Sequence, residues 1–204
     1  VLGERGAGPT LAQAVRARHE SGVLVQASSL AEAPADAWHI EARADRLRER
    51  WPGAAFAEDH AKVLANAIDA ESDVATRQRG MRQLRQLLAV HNTEPIALAL
   101  AHALYQAHGV DGSAAECRYA ADEVRELNER FGSANVALAG AQILRNGTAE
   151  ARDAATRRSF RQELEALAAT YPVEPIAAQV VHGLSNEFLA LEDPEERLAL
   201  LERM

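Results

Sequence analysis

Four pairs of polar residues recur at one spacing: Lys62 and Asn66, His102 and Gln106, Gln142 and Asn146, His182 and Asn186. Within each pair the members are four residues apart, so on a helix both point to one side. Successive pairs are 40 residues apart, and Gln26 extends the series toward the N-terminus. Amides and imidazoles donate and accept hydrogen bonds. A row of them can hold the backbone of an extended peptide without reading its side chains. The competing use is structural. A recurring Asn near a helix end can bond carbonyls of the next unit that would otherwise stay unsatisfied. The asparagines lean toward that use. Lys62, His102 and His182 stand evenly between the two, because a loop bond has no need of their charge.

A second group is basic. Arg77, Arg79, Arg82 and Arg85 lie in a stretch without an acid between Asp73 and Glu94, and Arg118, Arg125, Arg157, Arg158 and Arg161 continue the bias. Stacked in register, Arg85 would fall beside Arg125 and Arg118 beside Arg158. Like charges on neighbouring rungs repel, and an acidic partner, with carboxylates for Arg77, Arg82 and Arg85, would relieve them. The plainer reading, which the sequence favours, is a solvated face balanced by Asp45, Asp122, Glu126 and Glu165.

Catalytic and metal patterns are missing. No His-Glu-x-x-His or Cys-x-x-Cys spacing occurs, and no glycine-rich phosphate loop; Gly109 to Gly112 reads as a linker. His102 and His182 are two repeats apart, too far to share an ion. His60 falls where the register has Leu100 and Val180, which suits a packed histidine better than a ligand. Cys117 has Arg118 beside it, which would lower its pKa, but no histidine is paired with it by any pattern. No cofactor, metal or catalytic residue is therefore expected. The lone cysteine forms no intramolecular disulfide and fits a reducing compartment, here the cytoplasm. A formal charge of −8 opposes phosphate backbones, so nucleic acid is not an expected partner. No apolar run reaches the roughly 20 residues that a membrane-spanning helix needs, and no signal-peptide pattern is visible.

The elements that would position these residues repeat as well. Trp51, His91, Phe131 and Tyr171 are 40 residues apart, as are Leu47, Leu87, Leu127 and Leu167, and Phe56, Ile96, Val136 and Ile176. Ala57, Ala97, Ala137 and Ala177 keep the register, and so do Leu64, Leu104, Leu144 and Leu184. Each unit reads as two helices. The first carries an apolar stripe, Phe160, Leu164, Leu167 and Tyr171 in the fourth copy, spaced for one face of a helix. The second is apolar over a wider arc, as a helix wedged between layers must be. Asp73, Ser113, Asp153 and Asp193 are expected to cap first helices, with a capping box from Ser113 to Glu116. Pro34 and Pro194 fit first helical positions. Thr93 and Ser133 are candidate caps for second helices; Val173, in the same slot, cannot serve.

The expected fold is all-α, a right-handed α-solenoid of stacked helix–turn–helix hairpins. Residues 1–9 are expected to be flexible and 10–204 to form a single domain. Its repeats span about 34–73, 74–113, 114–153 and 154–193, with partial units at both ends. Helices are predicted over 10–28, 34–51, 54–69, 74–91, 94–108, 114–131, 134–146, 154–171, 174–189 and from 194. An array that opens without Met and breaks off within a repeat suggests part of a longer chain.

On the hairpin unit, the small residues Ala57, Ala97, Ala137 and Ala177, and the aromatic or histidine at 51, 91, 131 and 171, the chain resembles the tetratricopeptide-like helical-repeat superfamily. Its 40-residue period departs from the usual 34, and the Leu-Gly…Tyr run of the first helix is missing. The resemblance implies a scaffold or adaptor that binds protein or peptide partners in a groove, here expected to be lined by the second-helix polar residues. The alternative is a helical domain that senses or transforms a small acidic molecule through His102 and His182.

Overall fold

A computed structural model describes residues 10–191 and 193–201. The segment expected to be flexible, 1–9, lies outside them. Every regular element among the described residues is helical, with no strand. The chain forms two compact units, one within residues 1–96 and one within 97–204.

The first unit contains α1 (Leu11–Ser28), α2 (Pro34–Arg50), α3 (Ala54–Ala70) and α4 (Val74–His91). The division falls inside α5 (Glu94–Leu104). The second unit continues with a π-helical turn, Tyr105–Gly109, then α6 (Ala114–Phe131), α7 (Ala134–Glu150), α8 (Ala154–Thr170), α9 (Glu174–Ala190) and α10 (Pro194–Leu201). In the first unit α2 packs on α3, α3 on α4, and α1 on both α2 and α3. In the second, α6 packs on α7, α8 on α9, α7 on both α8 and α9, and α10 on α9. First helices thus pack on second helices, and second helices on one another.

The 40-residue register holds in these environments. Trp51, His91, Phe131 and Tyr171 are all half-buried and all stand at the C-terminal end of a first helix. Ile96, Val136 and Ile176 are fully buried, as are Leu64 and Leu104. The stripe of α8 buries Phe160 and Leu164 completely.

The caps follow the sequence closely. Thr76 N–H donates to Asp73 Oδ2 at 2.8 Å and Thr156 N–H to Asp153 Oδ1 at 2.8 Å. Ser113 and Glu116 close the expected box, with Ser113 N–H donating to Glu116 Oε2 at 2.9 Å. Ser133 Oγ accepts from Val136 N–H. Thr93 departs from expectation: its hydroxyl is buried and makes no hydrogen bond. A box between Thr10 and Gln13 also starts α1.

These bonds give a pH prediction. Hydrogen bonding holds four carboxyls below their ordinary values of 3.8 for Asp and 4.5 for Glu. For Asp73 the main cause is the Thr76 side chain, for Asp153 the Thr156 N–H, for Glu116 the Ser113 N–H, and for Glu71 the Asp73 N–H. A depressed carboxyl adds stability above its unfolded value and loses it as pH falls through the folded one. Thermal midpoints should therefore hold down to the ordinary carboxylate range and fall below it. Asp153→Asn should make that fall shallower.

The helix expected over 94–108 changes character after Leu104 and widens into the π-helical turn. Gly112 follows closely: a Cβ there would lie 1.8 Å from the His108 carbonyl oxygen, so only glycine fits. First helices α4 and α6 end on left-handed residues, Asn92 with φ 49° and Gly132 with φ 61°. Space around Gly132 is open, so Gly132→Ala should cost only the left-handed penalty, about 1–2 kcal/mol, read from the urea midpoint.

Candidate functional site

Each unit has a cleft between two first helices, floored by the second helix between them. In the second unit α6 and α8 form the walls and α7 the floor, and the cleft holds about 480 Å³. In the first unit α2 and α4 form the walls, α3 supplies the floor, and the volume is about 190 Å³. The lining residues correspond in register. Asp45, Arg48, His60, Gln83, Gln86, Leu87, Val90 and His91 line the smaller cleft. Each has its counterpart 80 residues on, from Arg125 and Asn128 through Gly140 to Tyr171, in the larger.

One slot sets the depth. Position 140 is glycine, and a Cβ there would come within 3.2 Å of Val124 Cγ1 and 3.8 Å of Leu167 Cδ2. Its absence leaves the floor low, at some cost in helix propensity. The equivalent residue in the first unit is His60, which occupies the space itself. It is 3% exposed, with Nε2 2.8 Å from Glu41 Oε1 and Nδ1 3.7 Å from Asp45 Oδ1. Nδ1 has no hydrogen bond. A packed histidine was expected here; its two carboxylate neighbours on α2 were not.

The larger cleft is apolar at its base, with Val124, Ala137, Leu144 and Leu167, and polar at its rim. Asn128 Oδ1 is buried without a hydrogen-bond partner. Arg125 and Glu163 face each other across the mouth at 3.6 Å. Such a surface takes an apolar side chain and has a hydrogen-bond acceptor left to offer.

The polar pairs lie elsewhere. Asn66 Nδ2 donates to Ser28 Oγ at 2.8 Å, Asn146 Nδ2 to the Gly109 carbonyl, and Asn186 Nδ2 to the Arg145 carbonyl at 3.3 Å. Each Asn ties its helix to the second-helix segment one repeat earlier, not to the next. Asn146 thereby uses a carbonyl of the π-helical turn. Lys62, His102 and His182 are exposed, and Gln106 and Gln142 half-buried. Lys62 Nζ stands 4.0 Å from Asp59 Oδ1. None of these residues lines either cleft.

Among the arginines, Arg82 is exposed and Arg77 and Arg85 half-buried, all on α4. Arg118 does not stand against Arg158. Its guanidinium lies 4.2 Å over the Phe160 ring and pairs with Glu163, which also draws Arg125. Arg161 leaves the surface altogether: it is 5% exposed and paired with Glu165 and Glu187. Cys117 also departs from expectation. With Arg118 turned away, burial pushes the thiol up to about 11, Glu150 and Glu116 adding to the shift. Its Sγ instead donates to the His108 and Gly112 carbonyls.

Among the described residues no group of three or more His, Cys, Asp or Glu side chains is placed to hold a metal ion. No helix there is long and apolar enough to cross a membrane. No protein-family model, curated protein or solved structure matches the chain.

Proposed function

We propose that the chain is a non-catalytic, cytoplasmic scaffold or adaptor module. It would bind segments of protein partners in the clefts between its first helices. One observation carries the reading: the same eight register positions line a cleft in both units. A surface repeated by register rather than by chance packing suits recognition of an extended or helical segment. Taken separately, the cleft of the second unit would take an apolar anchor, and the cleft of the first unit, with its amides and paired charges, would take a polar residue. In this reading the hairpins stack with the right-handed sense of tetratricopeptide-like arrays. The second-helix residues Lys62, His102, Gln106, Gln142 and His182, and the arginines of α4, would make peripheral contacts with an acidic flank.

The test begins with a displayed peptide library selected against the purified chain. Ala166 is an exposed wall residue of α8 lining the larger cleft. Ala166→Trp should fill that cleft and weaken the selected peptides at least about tenfold, the scale of one lost anchor. Circular dichroism should stay unchanged. Binding that survives Ala166→Trp, yet fails when His102, Gln142 and His182 become alanine, would move the site to the second helices. A library that yields no binder would overturn the reading.

A further inference from the structure

The cleft of the first unit is built around one histidine. His60 of α3 stands on its floor and is 3% exposed. Its Nε2 lies 2.8 Å from Glu41 Oε1 of α2. A carboxylate offers only acceptors, so Nε2 is the nitrogen that carries the hydrogen. With the hydrogen there, a neutral imidazole keeps a lone pair on the other nitrogen. That nitrogen, Nδ1, is buried and has no hydrogen bond among the described residues. A buried acceptor left unpaired is costly, and a donor that reached it would recover the cost.

Nδ1 lies on the cleft side of the ring. Nε2 turns to Glu41, outside the lining, whereas Nδ1 is 3.7 Å from Oδ1 of Asp45, which belongs to it. Two acceptors that far apart are within hydrogen-bond reach of a single nitrogen. Asp45 Oδ1 already accepts from Arg48 Nη2 at 2.6 Å, and a carboxylate oxygen has room for a second donor. Gln83 and Gln86 of α4 add amides to the opposite wall, and each can donate to a carbonyl oxygen. The volume, about 190 Å³, suits one side chain.

Building on the proposed function, in which this cleft takes a partner's polar residue, we propose that the residue is an Asn or Gln, held by its primary carboxamide. One N–H goes to His60 Nδ1 and the other to Asp45 Oδ1, and the carbonyl oxygen accepts from Gln83 or Gln86. A carboxylate has no hydrogen to give and would meet two acceptors. An ammonium has hydrogens but brings its charge against Arg48. Gln86 and Val90, in the same lining, are exposed. Exposed side chains change rotamer within nanoseconds, which gives the ligand its way in.

The test is NMR of the isotope-labelled full chain near neutral pH, reading the two ring nitrogens of His60. Acetamide, acetate and methylammonium serve as probes. Before any probe is added, the hydrogen should reside on Nε2. Acetamide should shift the Nδ1 resonance saturably, and the other two probes should need at least about tenfold higher concentration. Val90→Trp, at an exposed position of the lining, should leave the tautomer unchanged and abolish the acetamide shift. A hydrogen on Nδ1, or on both nitrogens, would overturn the proposal. So would acetamide that leaves Nδ1 unmoved, acetate or methylammonium that binds as well as acetamide, or an undiminished shift in Val90→Trp. No peptide is used, so these results stand apart from a library that yields no binder.

Discussion

Glu187→Ala is expected to lower the unfolding free energy by about 3–5 kcal/mol, the usual consequence of stranding one member of a buried ion pair. Arg161 Nε and Glu187 Oε2 are 2.6 Å apart, and their side chains are only 6% and 11% exposed. The two atoms satisfy no hydrogen bond of good angle, so the contact is an ion pair that joins α8 to α9. Among the described residues, removing the carboxylate leaves the guanidinium paired with Glu165, on its own helix at 2.8 Å. In a chain of this size each kcal/mol moves the thermal midpoint by roughly 2–4 °C. Replacing both partners with apolar residues, as in Arg161→Met with Glu187→Leu, should restore most of the loss. Both desolvation costs then disappear together. A double variant as unstable as Glu187→Ala would mean that the pair itself, rather than the stranded charge, sets the stability.

Phe160→Ala should cost a similar amount, about 3–5 kcal/mol. Among the described residues Phe160 is the largest side chain with no exposure, and the Arg118 guanidinium lies over its ring. Gly147 makes the room: a Cβ there would lie 2.6 Å from Phe160 Cε1. Gly147→Ala alone should therefore destabilise by about 1–3 kcal/mol through overpacking. In the Phe160→Ala background the same change should become neutral or favourable, because it fills part of the cavity. Thermal midpoints of the two single variants and the double variant measure this change of sign directly.

The hairpin periodicity was legible because it is written in residue identity. Aromatic, leucine and alanine slots recur without insertion, and caps such as Asp73, Ser113 and Asp153 need only a local pattern. The clefts were harder to see. Their existence follows from packing two first helices over a second, but their depth turns on one floor residue. Spacing cannot tell that Gly140 opens a volume that His60 fills. The polar pairs stood out by periodicity, yet periodicity is equally the signature of an internal bond. Asn66, Asn146 and Asn186 recur because each repeat must tie itself to the one before. Charge was misread for a related reason. Sequence places Arg118 beside Cys117, whereas the helix turns the guanidinium toward Phe160 and Glu163 and leaves the thiol buried. Likewise Arg161 looked like one of a solvated series, and only the approach of α9 brings Glu187 to it.

Amide hydrogen exchange with and without a library-selected peptide tests the binding account most directly. Slowed exchange should concentrate on the facing walls of the larger cleft, within residues 121–131 of α6 and 163–170 of α8, and should vanish in Ala166→Trp. Protection that instead follows the outer faces of α5, α7 and α9, around His102, Gln142 and His182, would contradict it.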